Sequence, residues 1–277
     1  MIFRKRTIPD EEIMTLKEQR SMLGDQLNFA AAEAYKLLRA NLTFSLPDEQ
    51  RCRVVGVTSA VRGEGKSTTS INLAYTLAET GKRVLLVEAD MRRPQLAHRL
   101  AIDAAPGLSN LLAGLCREKD VVQDVGLLEN MKVITSGDVP PNPSELLGSE
   151  RMSTVVETLA QSFDFIIFDL PPVNAVSDGL VVSRFIQGMI VVVRQDYSDR
   201  QGLSAALRQL EYMHIKVLGF VMTHSSISGG RYGRYGRYGR YGRYGQYGRY
   251  ESESRETGAD QERARKTGSA KSRKSKR

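Results

Sequence analysis

Residues 54 to 68 read without interruption as a β-branched apolar run, a short loop holding two glycines, and the first turn of a helical pattern: Val54-Val55-Gly56-Val57-Thr58-Ser59-Ala60-Val61-Arg62-Gly63-Glu64-Gly65-Lys66-Ser67-Thr68. A strand that feeds a helix through so short a loop leaves few folds open, because the helix must pack back onto the sheet that its strand belongs to. The end of the segment, Gly65-Lys66-Ser67, matches a phosphate-binding P-loop, with Ala60 standing where the general pattern has its first glycine. The residue types explain the chemistry. Backbone N–H groups of Arg62, Gly63, Glu64, Gly65, Lys66, Ser67 and Thr68 can face one concavity, Gly63 and Gly65 permit a close approach, and the helix N-terminus adds partial positive charge. The expected ligand is Mg·ATP, with Lys66 reaching the β- and γ-phosphates and the Ser67 hydroxyl ligating Mg²⁺. The helical pattern that follows ends near Gly81.

A magnesium nucleotide needs acidic partners, and two further apolar runs end in them. Leu85-Leu86-Val87-Glu88-Ala89-Asp90 is one; Phe165-Ile166-Ile167-Phe168-Asp169, shortly before Pro171-Pro172, is the other. Short β-branched runs alternate with helical patterns from residue 51 to about 225, with strands expected at Arg53 to Thr58, Arg83 to Val87, Lys132 to Thr135, Phe165 to Phe168, Met189 to Val193 and Val217 to Met222. This alternation predicts an α/β fold of the P-loop NTPase type, a mostly parallel central sheet flanked by helices on both faces. In a parallel sheet the C-terminal strand ends share one edge, so Glu88, Asp90 and Asp169 are expected near the loop. With Lys66 they make the expected catalytic set, Asp90 and Asp169 joining Ser67 as metal ligands and a carboxylate accepting a proton from the nucleophile. Arg92, Arg93, Arg194 and Asp178 occupy turns and loops that could reach phosphate or the nucleotide edge, while His98 and His214 are isolated.

Charge divides the chain unevenly. From Gly229 to Arg277 there are fifteen Lys/Arg against five Asp/Glu, so the tail alone exceeds the whole chain's net charge of +8 and leaves the first 228 residues slightly acidic. A near-neutral core gives no support for a globular nucleic-acid-binding face. Arg-Tyr-Gly recurs with a period of three from Arg231, Gln246 replacing one arginine, and sets Tyr232, Tyr235, Tyr238, Tyr241, Tyr244, Tyr247 and Tyr250 in series. Glycine at every third position without proline is no collagen signature and opposes both helix and strand, so this tail is expected to be disordered. Before the α/β region, residues 30 to 44 form an amphipathic segment with Tyr35, Leu38 and Leu42 at helical spacing beside Glu33, Lys36 and Arg39. The expected organisation is an N-terminal region at 1–50, a P-loop domain at 51–225, a tyrosine-cluster tail at 226–250 and a charged tail at 251–277. No apolar run approaches the roughly 18 to 20 residues of a membrane span, and two well-separated cysteines, Cys52 and Cys116, fit a reducing cytoplasm.

Taken together these motifs resemble the bacterial tyrosine kinases of capsule and exopolysaccharide synthesis, the BY-kinases, from about Glu33 to Tyr250. Val84-Leu85-Leu86-Val87-Glu88-Ala89-Asp90-Met91-Arg92-Arg93-Pro94 resembles that family's second Walker-type motif, and Phe165 to Pro172 its Walker B strand. Gly107-Leu108-Ser109-Asn110-Leu111-Leu112, Pro140-Pro141-Asn142-Pro143-Ser144-Glu145-Leu146-Leu147, Val191-Val192-Val193-Arg194 and the tyrosine cluster are similar as well. The resemblance implies a protein-tyrosine kinase that autophosphorylates the seven tail tyrosines and regulates polysaccharide synthesis and export. It also implies a ring-like homo-oligomer built through Glu33, Lys36 and Arg39, a separate membrane-spanning activator that brings a cytoplasmic enzyme to the inner face of the membrane, and a protein-tyrosine phosphatase. Two departures stand out. Lys36 replaces an arginine, which changes any bidentate contact, and Glu88 stands where the family usually has aspartate, moving the carboxylate about one methylene outward and leaving its assignment as base or metal ligand open.

The tail's geometry supports the acceptor assignment independently. Extended at 3.3–3.6 Å per residue, the stretch from Gly230 to Tyr250 spans roughly 65 to 75 Å, enough to reach another subunit's site. A partitioning-type ATPase of the Par and Min class would share the fold, but its lysine near the start of the loop falls at Val61, with Arg62 out of register. An RNA-binding role for the Arg-Tyr-Gly tail suits its composition, Arg contacting phosphates and Tyr stacking bases, yet no nucleic-acid module accompanies it.

Overall fold

The computed structural model describes residues 22–46 and 51–225; the seven tail tyrosines lie outside the described residues. Seven strands form one sheet: β1 (Arg53–Ser59), β2 (Val84–Glu88), β3 (Gln123–Asp124), β4 (Met131–Ile134), β5 (Phe165–Asp169), β6 (Met189–Arg194) and β7 (Val217–Thr223), in the order β3-β4-β2-β5-β1-β6-β7. Every pairing is parallel except β3 with β4. The six expected strands are all present, each within a residue or two of its expected ends. The antiparallel edge was not anticipated, because two polar residues carry no hydrophobic pattern.

Continuous apolar runs are what a strand covered on both faces requires, and successive residues divide between two layers. Val55, Val57, Leu86, Ile167, Ile190 and Val192 pack on one side with Ile71, Leu73 and Leu77 of helix α2 (Lys66–Ala78), and Leu42 of helix α1 (Phe29–Ser45) joins that layer. Val54, Leu85, Val87, Ile166, Phe168 and Val191 face the other layer. There they meet Val155 and Leu159 of one long helix (Glu150–Ala160) and Ala206 and Leu210 of another (Arg200–Tyr212).

Helix α1 begins where the Asn28 side chain accepts a hydrogen bond from the Ala31 N–H at 2.9 Å, satisfying one of the amides a helix start leaves free. Its inner face is fixed to α2 by packing and by Arg39, whose Nη1 donates to the Thr76 carbonyl at 2.6 Å beside Glu79. Glu33 and Lys36 pair with each other at 2.8 Å on the exposed side. Phe29, Leu37 and Phe44 are also exposed, so α1 carries an outward apolar surface as well as an inward one.

Candidate active site

Register decides what meets at the sheet's C-terminal edge. Val57 of β1 is level with Asp169 of β5, and Asp169 is level with Glu88 of β2, so the loop after β1 lies beside the two acidic strand ends. The loop itself depends on backbone that glycine adopts freely: Gly63 and Gly65 have φ of +79° and +95°. A Cβ at Gly65 would also press on the Thr223 side chain at 3.2 Å.

The loop's outer surface is braced by residues distant in sequence. Thr223 Oγ1 at the end of β7 donates to the Glu64 carbonyl at 2.7 Å, and Arg194 Nη1 at the end of β6 donates to the Gly63 carbonyl at 3.1 Å while stacking on Tyr197. The buried Glu64 carboxylate accepts from the Val61 N–H at 2.8 Å and from the Ser198 hydroxyl. Glu64 therefore braces the loop with its side chain while its amide lines the concavity. Among the described residues no acceptor meets the N–H groups of Arg62, Gly63, Glu64, Gly65, Lys66, Ser67 or Thr68. A row of free amides at the start of a 13-residue helix attracts an anion. Arg62 itself is exposed.

Lys66, from the first turn of α2, reaches under the loop to Asp90 Oδ2 at 3.1 Å. Burial alone would push the Lys66 pKa down, but the carboxylates of Asp169, Asp90 and Glu88 outweigh it and hold the ammonium above its ordinary value. Asp169 is fully buried, and burial pushes its pKa up against the counteracting charge of Lys66 and the nearby hydroxyls of Ser67 and Ser70. Its Oδ1 accepts from Ser70 Oγ at 3.1 Å, while Oδ2 is buried with no hydrogen-bond partner among the described residues. Asp90 is oriented on its other oxygen by the Arg93 N–H at 3.1 Å. The structure thus brings Lys66, Ser67, Asp90 and Asp169 together.

Glu88 stands among them and bonds elsewhere. Its Oε1 accepts from the Gln95 and Leu96 N–H groups, the latter at 2.8 Å, and its Oε2 accepts from the Ser136 N–H at 3.1 Å. Burial raises its pKa, an effect that those three amides oppose and the neighbouring Asp169 charge reinforces.

Ser67, Asp90 and Asp169 form a hard-oxygen donor set of the size magnesium takes when phosphates and water complete its shell. No described group of three or more His, Cys, Asp and Glu side chains forms a metal cage by itself. The unpartnered Asp169 oxygen beside Ser67 fits a magnesium ion carried in with a nucleotide.

Other candidates fall outside this cluster. Arg92 is paired with Asp178 at 2.8 Å, and Asp178, buried in the first turn of a short helix (Asp178–Val182) and not in the expected loop, also takes the Ser144 hydroxyl, so the turn after β2 is fastened to the starts of two short helices. Arg194 meets the loop's carbonyl side. Arg99 is a contact that sequence reasoning missed: its Nη1 donates to Thr68 Oγ1 at 3.3 Å from the next helix. The braces Thr223 and Ser198 were missed too, since partners 159 and 134 residues away leave no local signal. A cavity of about 540 Å³ lies against Ile186, Met213 and Ile215, before the starts of β6 and β7 and hence at the opposite edge of the sheet.

Comparison with known proteins gives a consistent set of likenesses. Residues 52–218 match the AAA domain family AAA_31. The chain is 34% identical over 197 residues to the tyrosine-protein kinase YwqD of Bacillus subtilis, spanning 71% of this chain and 82% of that protein. Among solved structures, the kinase domain of the Escherichia coli tyrosine kinase ETK matches with a TM-score of 0.68 and 31% identity, over 82% of this chain and 86% of that one. The chimerical protein CapA2B2 matches with a TM-score of 0.69 and 31% identity, over 74% and 89%.

Proposed function

This chain belongs to the bacterial tyrosine-protein kinases built on a P-loop AAA domain, and on that premise we propose that it passes the γ-phosphoryl group of Mg·ATP to the tyrosines of its own tail, in trans within a homo-oligomer. The observation that carries the site assignment is the conjunction of free loop amides, Lys66, and an unpartnered carboxylate oxygen on the buried Asp169. A nucleotide polyphosphate answers the amides and the cation, and a divalent ion answers the carboxylate.

In this reading the amides of Arg62 to Thr68 hold the β-phosphate and keep the nucleotide oriented. Lys66, kept charged by the surrounding carboxylates, stabilises the charge that gathers on the β,γ-bridging oxygen as ADP leaves. Ser67, Asp90 and Asp169 would hold magnesium, which when bound offsets charge on the phosphate oxygens. The acceptor hydroxyl gives its proton to the Asp90–Asp169 pair as its oxygen bonds to phosphorus. Arg194, Thr223 and Glu64 do no chemistry; the first two hold the loop's carbonyls so that its amides stay available, and the Glu64 carboxylate fixes the loop's start through the Val61 N–H.

The acceptors in this reading are Tyr232, Tyr235, Tyr238, Tyr241, Tyr244, Tyr247 and Tyr250. Their regular spacing suits repeated use of one site, and the tail's reach suits delivery to a neighbour. The exposed face of α1, with Glu33, Lys36, Leu37 and Phe44, supports a ring-like assembly, Arg39 serving within its own chain as the strut to α2. No helix among the described residues is long and apolar enough to cross a membrane. A membrane-spanning activator, which the family resemblance implies, is part of the proposal: it recruits the kinase to the inner face of the cell membrane, where a cycle of phosphorylation and removal by a protein-tyrosine phosphatase regulates capsule or exopolysaccharide synthesis and export.

A mixing experiment tests the trans step. Full-length Lys66→Ala serves as acceptor, and a full-length variant with all seven tail tyrosines changed to phenylalanine serves as enzyme. Phosphate is expected on the Lys66→Ala chain after addition of Mg·ATP and the activator's cytoplasmic segment. Phosphorylation by wild type alone, with none transferred in the mixture, would mean that the reaction runs in cis.

A further inference from the structure

We propose that Glu88 is a positioning residue, a buried bracket that joins the start of helix α3 (Leu96–Leu100) to the exit of β4 and thereby sets where Asp90 stands. The proposal rests on the reading of this site as an Mg·ATP phosphotransferase and concerns which of its three carboxylates stays out of the chemistry.

The geometry points there because both oxygens of Glu88 are taken by backbone. Two of its donors, Gln95 N and Leu96 N, lie at the N-terminus of α3, where a helix leaves amides without intrahelical acceptors. The third, Ser136 N, belongs to the second residue after β4. Glu88 is only 1% exposed, so water offers these amides no ready substitute. Lys66 hydrogen-bonds to Asp90, and the Asp169 oxygen that lacks a partner marks where a further cation would be accepted.

The added methylene of glutamate fits this arrangement, because one carboxylate must span two backbone segments from the end of β2. The first of these segments leads toward the site. Between Glu88 and Gln95 the chain turns through Asp90, fixed by Arg93 N, and a shift at the bracket moves that turn. Beyond Ser136, Asn110 Oδ1 accepts from the Gly107 and Asp138 N–H groups at 3.0 and 3.2 Å and carries the constraint onward.

The test compares full-length wild type, Glu88→Gln and Glu88→Asp by the initial rate of phosphate incorporation, the KM for ATP, and amide hydrogen exchange at Gln95, Leu96 and Ser136. Glutamine keeps the length and one acceptor oxygen. Its kcat is expected to stay within about tenfold of wild type, with protection kept at Gln95 and Leu96 and lost at Ser136, where two donors would face each other. Aspartate keeps the charge but not the reach, so it is expected to lose protection in both segments and to lower kcat by about 100-fold.

That order, glutamine above aspartate, is opposite to what a proton acceptor or metal ligand gives. An aspartate variant near wild type beside a glutamine variant slowed about 100- to 1,000-fold would overturn the proposal. If Glu88→Gln does not fold, Glu88→Asp decides alone: a wild-type rate with unchanged protection refutes the bracket. A wild type that incorporates no phosphate would sink the kinase reading instead, and exchange at the three amides would still report separately whether Glu88 holds them.

Discussion

Asp169 carries a conflict between stability and function that a single substitution can expose. Burial holds its pKa above the unfolded value, so between those two values the folded chain binds more protons than the unfolded one, and stability falls as pH rises through that window. Asp169→Asn removes the buried charge at nearly constant shape. The variant without nucleotide is expected to melt higher than wild type at pH 8, with the difference shrinking toward pH 4, while phosphate incorporation falls by about 100-fold. Thermal melts at the two pH values check the first half, and a variant that melts lower at pH 8 would show that pairing with Lys66 outweighs desolvation. Lys66, Ser67, Asp90 and Asp169 were legible in the sequence because each sits at a strand end or helix start with a local pattern around it. The hydrogen bonds that tie up Glu88 were not, since they come from backbone amides of Gln95, Leu96 and Ser136, which every residue possesses.

At the scale of elements, β1, β2, β5 and β6 could be read directly because strands covered on both faces must be apolar throughout. Their order in space could not, because each stretch of chain between them can cross to more than one neighbouring position. The short helices were illegible for a different reason. Leu96–Leu100, Leu108–Leu112 and Pro143–Leu147 each span five residues, less than two turns, too few for a 3.6-residue period to register. What holds such short pieces is tertiary contact, and Gly107 shows how tight it is. Its backbone is extended and needs no glycine conformation, but a methyl there would overlap the backbone of Gly137 and the Thr135 carbonyl. Gly107→Ala is therefore expected to cost about 2 kcal/mol or more in denaturant unfolding, because backbone must move to admit the methyl. A loss under about 0.5 kcal/mol would mean that the loop yields freely.

For the whole molecule, the proposed function couples assembly to charge. The tail is strongly basic, and each phosphotyrosine adds about −1.5 to −2 charges, so seven would supply on the order of −10 to −14 and reverse its sign. On that reading the reversal loosens the oligomer, and native mass spectra that show the same assembly for the phosphorylated and dephosphorylated chain would contradict it. If α1 is the assembly face, Leu37→Glu with Phe44→Glu places charge on exposed apolar positions and shifts native mass spectra toward monomer, leaving the fold intact because neither side chain is buried. An unchanged oligomer would move the interface elsewhere. The central claim, that this chain moves phosphate from ATP to its own tyrosine series, is tested most directly by intact mass after incubating the full-length protein with Mg·ATP and the activator's cytoplasmic segment. The account predicts several added phosphates, up to seven on Tyr232 to Tyr250, and none with Lys66→Ala. Lys66-dependent ATP hydrolysis with no mass added to the chain would contradict it.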